Sequence, residues 1–193
     1  MVRIIAGEQR GMHLVAVPGR ETRPTADRVR EALFSILGGR VQDARVLDLF
    51  CGTGALGLES LSRGAQTAVF VDRSLQAVAV ARRNARTLGV EHRTSFLQMP
   101  AVSALRVLAN RTERFDGVFV DPPYDTEQLE AVLSGAHFRS ICRDHCWVVL
   151  EHRSSKVLSV GDAWRIVRQT RYGDSSLTIL EARDDTRDLS RNV

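Results

Sequence analysis

The sequence predicts an α/β fold: a sheet of five parallel strands finished by a C-terminal antiparallel hairpin, with an N-terminal β-hairpin arm before it. Three observations carry this. Apolar runs of strand length alternate with segments of helical periodicity from residue 45 to residue 150, the pattern of right-handed βαβ crossovers. Three of the apolar runs end in an acid: Asp48, Asp72 and Asp121. The last two runs, 164–172 and 176–182, are joined through Gly173-Asp174, which is hairpin rather than crossover spacing. A dinucleotide-binding sheet of six parallel strands would not end this way.

A chain of 193 residues with 44% hydrophobic composition suits one domain with an ample core. No apolar run approaches the roughly 18 to 20 residues of a membrane-spanning helix. The opening MVRIIAGEQRG lacks the apolar stretch of a secretion signal, so a cytoplasmic monomer without a membrane partner is expected. The three cysteines, Cys51, Cys142 and Cys146, have no second pair or paired histidines at zinc spacing. Reduced thiols and no metal are expected.

Net charge is +4. Residues 1–40 hold seven arginines against four acids, an asymmetry that suits a polyanionic partner at that end. Arginine is abundant throughout, however, with Lys156 the sole lysine, so charge by itself does not decide for nucleic acid.

Taken in order, residues 1–23 read as the arm. Apolar-rich runs at 2–6 and 12–17 are joined through Gly7 and Gly11 and ended by Pro18-Gly19. With few large side chains, this arm is as consistent with a flexible element that meets a partner as with a packed one. A domain is expected over 24–183 and a polar tail over 184–193. Thr25 can cap a helix starting near Ala26, with Val29, Leu33, Ile36 and Leu37 on one face and Gly38-Gly39 at its end. Arg28 and Arg30 fall off that stripe, towards solvent or a ligand. Strands follow at 45–49, 67–72, 93–99, 115–120 and 146–150. Between them lie helices at 54–63, 74–88 (Leu75, Val78, Ala81, Ala85 and Leu88 on one face), 100–111 (Val102, Leu105, Leu108) and 127–133.

The first parallel strand runs into Gly52-Thr53-Gly54-Ala55-Leu56-Gly57 and a helix. Such a turn fits a nicotinamide nucleotide, a flavin or S-adenosylmethionine. Asp72, about 20 residues beyond Gly52, stands where an acid reaches ribose hydroxyls in any of them. Asp48 separates them. An acid just before the loop repels a pyrophosphate and welcomes a cationic sulfonium amino acid. Asp121-Pro122-Pro123-Tyr124 is the most specific signal. Two prolines rigidify the turn and leave the carbonyls of Asp121 and Pro122 as acceptors. Tyr124 offers a ring for a flipped base. Acceptors on both N–H groups of an exocyclic amine favour the positively charged nitrogen that develops during attack.

These motifs resemble the class I S-adenosylmethionine-dependent methyltransferases that modify base amino groups, with a Rossmann-like class I methyltransferase sheet. Arg3-Ile-Ile-Ala-Gly7, Arg10-Gly11, Arg23-Pro-Thr-Ala-Asp-Arg-Val-Arg-Glu31 and Tyr172-Gly173-Asp174 resemble the RsmD-type methyltransferases more closely, over residues 3 to about 182. That family methylates guanine N2 in bacterial 16S rRNA of the small ribosomal subunit. The resemblance implies that Phe50, Gly52, Thr53, Gly54 and Gly57 shape the methionine pocket near Asp48. It implies that Asp72, with Arg73 beside it, binds ribose, and that Gln98 and Met99 sit by adenine, where many class I enzymes place an acid. Asp121, Pro122, Pro123 and Tyr124 would receive the guanine. Arg3, Arg10, Arg20, Arg23, Arg28 and Arg30 would meet RNA. Deleting residues 1–20 is then expected to weaken RNA binding and spare cofactor binding. A DNA adenine-N6 methyltransferase and a non-catalytic RNA-binding assembly factor are the alternatives.

Overall fold

The computed structural model describes residues 2–19, 25–122 and 126–183. Its main sheet has seven strands: β3 (Arg45–Asp48), β4 (Thr67–Asp72), β5 (Thr94–Gln98), β6 (Phe115–Val120), β7 (Cys142–Arg153), β8 (Trp164–Tyr172) and β9 (Ser175–Ala182). The order across the sheet is β5-β4-β3-β6-β7-β9-β8. The last strand, β9, inserts between β7 and β8 and pairs antiparallel with both, so β8 runs with the parallel set. The sequence predicts the hairpin but not this insertion, because local turn chemistry does not say which arm of a hairpin docks.

Alternation along the strands splits the core into two layers. Val46, Phe70, Phe119, Trp147 and Val149 face one side. There they meet α1 (Thr25–Leu37), α2 (Ala55–Ser62) and α3 (Leu75–Thr87). Leu47, Val69, Val71, Val118 and Val148 face the other. There they meet α4 (Ala101–Asn110) and α5 (Thr126–Leu133). Both faces are covered, which is why these strands read as near-continuous apolar runs. Burying each large side chain contributes roughly 1.5 to 3 kcal/mol. Phe34, beside the stripe read from the sequence, is among the most deeply buried and lies 6.0 Å from Phe119, ring to ring.

Three elements depart from expectation. Strand β7 is 12 residues long rather than five, because residues 142–145, with Arg143, Asp144 and His145 exposed, extend it before the apolar run and residues 151–153 extend it after, paired with β9. Arg143 pairs with Asp116 on the neighbouring β6, while His145 takes φ +59 where the register shifts. Leu75 and Val102, assigned to apolar stripes, are exposed, since each stands in the first turn of its helix, where less of the sheet lies beneath it.

The arm differs most. Its strands, β1 (Val2–Arg3) and β2 (His13–Leu14), are two residues each. Beyond Ile4, three backbone donors of the arm reach α2 instead of the partner strand. Ile5 and Ala6 donate to the Glu59 carboxylate at 2.8 and 3.0 Å, and Glu8 donates to the Ser62 carbonyl at 2.9 Å. Val2, Ile4 and Leu14 join the core of α1 and α2. The arm is thus packed, a result its modest side chains did not promise.

Candidate active site

The strand order reverses between β3 and β6, the switch point at which ligands enter an open α/β sheet. The described acids converge on this edge. Asp48 ends β3, Asp72 ends β4 and Asp121 follows β6 directly. Asp72 is in register with Gln98, the last residue of β5.

The loop after β3 is strung between its neighbours. The Leu49 amide donates to the Phe119 carbonyl at 3.1 Å, and the Cys51 amide to the Val71 carbonyl at 2.9 Å. Gly52 and Gly54 have positive φ, and Gly54 opens α2. At Gly57 a Cβ would lie 2.4 Å from the Phe70 ring, so the third glycine is required for α2 to sit against β4.

The two acids do different work. Asp72 is buried. One carboxylate oxygen accepts from the Gly52 amide at 3.1 Å, the other from the Ser74 amide at 2.9 Å. It fastens the loop to the start of α3, and each oxygen keeps a second lone pair for a hydroxyl. Asp48 is buried too and accepts from the Gly57 amide at 3.2 Å. Burial pushes its pKa from 3.8 up to about 7, the Gly57 bond opposes this, and the charge of Asp72 adds to it. A desolvated carboxylate held this way favours a cation beside it, and a sulfonium amino acid with its ammonium group supplies one.

The remaining predicted residues fall as follows. Phe50 and Met99 are half-buried and pack against the α4 and α5 layer, and the Met99 amide donates to the Asp72 carbonyl at 3.1 Å. Gln98 is exposed and lines an outer groove with Leu75, Arg82 and Phe96, a depression of about 470 Å³ on the α3 side. That groove lies at the sheet edge rather than at the switch point. Thr53 contributes its carbonyl to the Asn84 side chain, and Arg73 is exposed. Pro122 is buried and Asp121 exposed, as a rigid turn presenting an acid requires. Pro123, Tyr124, Arg20, Arg23 and the tail lie outside the described residues.

Among the arginines, Arg3, Arg10 and Arg28 are exposed. Arg30 is not available to a phosphate. It is 5% exposed, donates to the Arg3 carbonyl and to Asp27, and stands 3.8 Å from Glu59. Burial lowers its pKa, although Asp27 and Glu59 act the other way. It holds the arm to α1 and α2 instead.

Asn84, Glu59 and Ser62 are the functional candidates that sequence reasoning missed. Asn84 and Glu59 did leave a signal. Asn84 stands three residues after Ala81 and four before Leu88, on the apolar stripe of α3. Glu59 is the sole charge in ALGLESLS. A polar residue inside an apolar stripe needs a partner.

Compared with known proteins, the family described as Conserved hypothetical protein 95 matches residues 2–181. YlbH of Bacillus subtilis (strain 168) is 36% identical over 94% of this chain and 100% of its own. Ribosomal RNA small subunit methyltransferase D of Escherichia coli (strain K12) is 35% identical over 78% of this chain and 71% of its own. The solved structure of yhhF from Escherichia coli superposes with a TM-score of 0.80 at 30% identity, covering 94% of this chain and 97% of that one. The chain therefore belongs to the family described as Conserved hypothetical protein 95, the RsmD-type methyltransferases.

Proposed function

We propose that this methyltransferase transfers a methyl group to the exocyclic N2 amine of a guanine in the 16S rRNA of the small ribosomal subunit. S-adenosylmethionine is the cofactor. The observation that carries the reading is the pair of acids flanking the switch point: Asp48, buried beneath the glycine loop and bonded to the Gly57 amide, and Asp121, exposed on a turn begun by a buried proline. The small-subunit rRNA target rests on what the methyltransferase D relatives are named for.

In this reading Asp48 and the glycine loop hold the methionine end, Asp72 holds ribose, and Gln98 and Met99 border adenine. When bound, the cofactor supplies an electrophilic methyl on a leaving group that departs neutral. The residues of the chain position and polarise. The Asp121 carboxylate and the Pro122 carbonyl accept from the two N–H groups of the guanine amine, which turns its lone pair towards the methyl. Tyr124 stacks on the flipped base, and Asp121 is placed to take the proton. Arg3, Arg10 and Arg28 engage phosphates, with Arg20 and Arg23 adjoining them in sequence. The unit is a monomeric cytoplasmic enzyme in which residues 1–23 serve RNA binding and 24–183 carry catalysis.

The test supplies labelled S-adenosylmethionine with methyl-deficient small subunits, naked 16S rRNA and duplex DNA, followed by nucleoside mass spectrometry. N2-methylguanosine from either RNA substrate is expected. N6-methyladenine in the DNA with unmodified RNA overturns the reading in favour of a DNA adenine enzyme. No transfer to any of the three, with intact cofactor binding, favours a non-catalytic assembly factor.

A further inference from the structure

We propose that Asn84 is a positioning residue that ties the N-terminal arm to the glycine loop, so that the arm is a working part of the cofactor site. The inference rests on assigning residues 48–57 to S-adenosylmethionine and deepens that assignment.

The Asn84 side chain is buried, 1% exposed, in the last turn of α3. Its Oδ1 accepts from the Val15 amide at 2.8 Å, and its Nδ2 donates to the Val15 carbonyl at 3.1 Å. It thus pairs with the arm as a neighbouring strand would. The other Nδ2 hydrogen goes to the Thr53 carbonyl at 2.9 Å, at the crest of the glycine loop. One acceptor and two donors are committed, and a flipped carboxamide would set Nδ2 against the Val15 amide, so the orientation is fixed.

A second set of contacts fixes the same arm to the helix that the loop opens. Glu59 of α2 accepts from Ile5 and Ala6. The Ser62 hydroxyl donates to the Ala6 carbonyl at 2.6 Å and accepts from the Gln9 amide at 3.1 Å. Thr53 therefore sits between two helices that both grip the arm. On either side of Val15, Leu14 and Val17 are 3% and 5% exposed, so the Val15 backbone is anchored and transmits its position to Asn84. The expectation that the arm can be removed without cost to the cofactor does not hold on this geometry. Its removal would take from Asn84 the two arm contacts that fix its carboxamide against the loop.

The experiment titrates S-adenosylhomocysteine into wild type, Asn84→Asp, Val15→Pro and the double variant, with Arg83→Ala as a control on the same helix. Asn84→Asp keeps the acceptor for Val15 and loses both donors, while Val15→Pro removes the amide from the arm side. Each is expected to raise Kd five- to twenty-fold, with the double variant no worse than the weaker single. The KM for S-adenosylmethionine rises in proportion, and kcat at saturating cofactor stays within twofold. In wild type, hydrogen exchange of amides 13–16 slows when S-adenosylhomocysteine binds. That measurement decides alone if the variants do not fold. Affinity within twofold of wild type in folded variants, or exchange at 13–16 unmoved by the ligand, overturns the inference. A wild type that binds no S-adenosylhomocysteine overturns the cofactor assignment itself, and the inference with it.

Discussion

The Asp72 carboxylate holds the Gly52 amide at 3.1 Å and the Ser74 amide at 2.9 Å, so one acid at the end of β4 anchors both the glycine loop and the first turn of α3. In the proposed reading a ribose contact is added to this structural duty. Asp72→Asn leaves one oxygen and sets an amide against one of the two N–H groups. The expected loss is about 1 to 3 kcal/mol in ligand-free stability, the cost of an unsatisfied buried group. The Kd for S-adenosylmethionine should rise at least tenfold more than that for methionine-end fragments lacking ribose. Denaturant titration and calorimetry check the two halves separately. Unchanged stability would show that the fastening is not needed.

Asp48 gives a pH dependence whose sign is set by its raised pKa of about 7, against 3.8 for an ordinary aspartate. Below about pH 4 the group is protonated in both states. Above that the unfolded chain releases its proton first. The ligand-free protein therefore loses stability as pH climbs towards 7 and loses no more from this group beyond it. Asp48→Asn removes the effect. The variant should melt several degrees above wild type at pH 8, with the gain shrinking towards pH 4, and should bind S-adenosylmethionine more weakly. In wild type the affinity should rise with pH, by up to tenfold per unit below about 7, and flatten above. A flat profile from pH 5.5 to 8.5 counts against a cation beside Asp48.

Asp121 should separate chemistry from binding. It is exposed beyond β6 and outside the loop that Asp48 and Asp72 hold. Asp121→Ala is expected to cut methyl transfer by about 10²-fold or more, the scale of losing a preorganised acceptor in the transition state. Cofactor affinity should stay within a few-fold. Single-turnover transfer and calorimetry on one preparation make the comparison. A variant that still methylates at near wild-type rate would remove Asp121 from the site.

Much of this was legible in the sequence because the informative signals are local. The apolar runs of β4 and β6 are buried on both faces and match their predicted limits residue for residue. The acids at the strand ends follow from the same short pattern, whereas the packing of Gly57 against Phe70 is seen only in the structure. What was hidden depends on partners distant in sequence. Glu59 meets Ile5 across 54 positions and Asn84 meets Val15 across 69, and no periodicity reports such a pairing. Arg30 misled for a related reason. Off the apolar stripe it reads as a surface cation, yet the arm folds back over it and supplies the Arg3 carbonyl as its partner.

The docking of the arm makes its own prediction through Gly7 and Glu59. A Cβ on Gly7 would lie 1.8 Å from the Ser62 carbonyl oxygen, and φ there is +88, so Gly7→Ala must lift the arm from α2. Glu59 is fully buried and carries Ile5, Ala6 and Arg63 at once. Glu59→Ala leaves those donors, and Arg30 nearby, without their carboxylate. The expected cost is about 3 to 5 kcal/mol, as for breaking a buried pair on one side. Thermal unfolding should show both variants well below wild type. Limited proteolysis should cut Gly7→Ala within residues 1–19 first. A wild-type cleavage pattern would mean that the arm is not held through α2.

If the arm binds RNA and also braces Thr53, the two ligands must be linked. Phosphates drawn to Arg3 and Arg10 would order the hairpin, which steadies Val15, then Asn84, then the loop. The cofactor would then meet a loop whose ordering has already been partly met, which is positive coupling without a change of shape. Linkage requires the same factor in both directions. The affinity for naked 16S rRNA, measured with and without saturating S-adenosylhomocysteine, should tighten by about fivefold or more, on the order of 1 kcal/mol. The affinity for S-adenosylhomocysteine should tighten equally when the RNA is present. Asn84→Asp should abolish both changes while leaving RNA affinity in the absence of cofactor close to wild type, since none of the exposed arginines is altered. Rising salt should weaken RNA binding with and without cofactor to a similar degree, because the phosphate contacts are the same in each case. Equal RNA affinity with and without cofactor would leave the arm a brace for the loop but not a link between the two ligands.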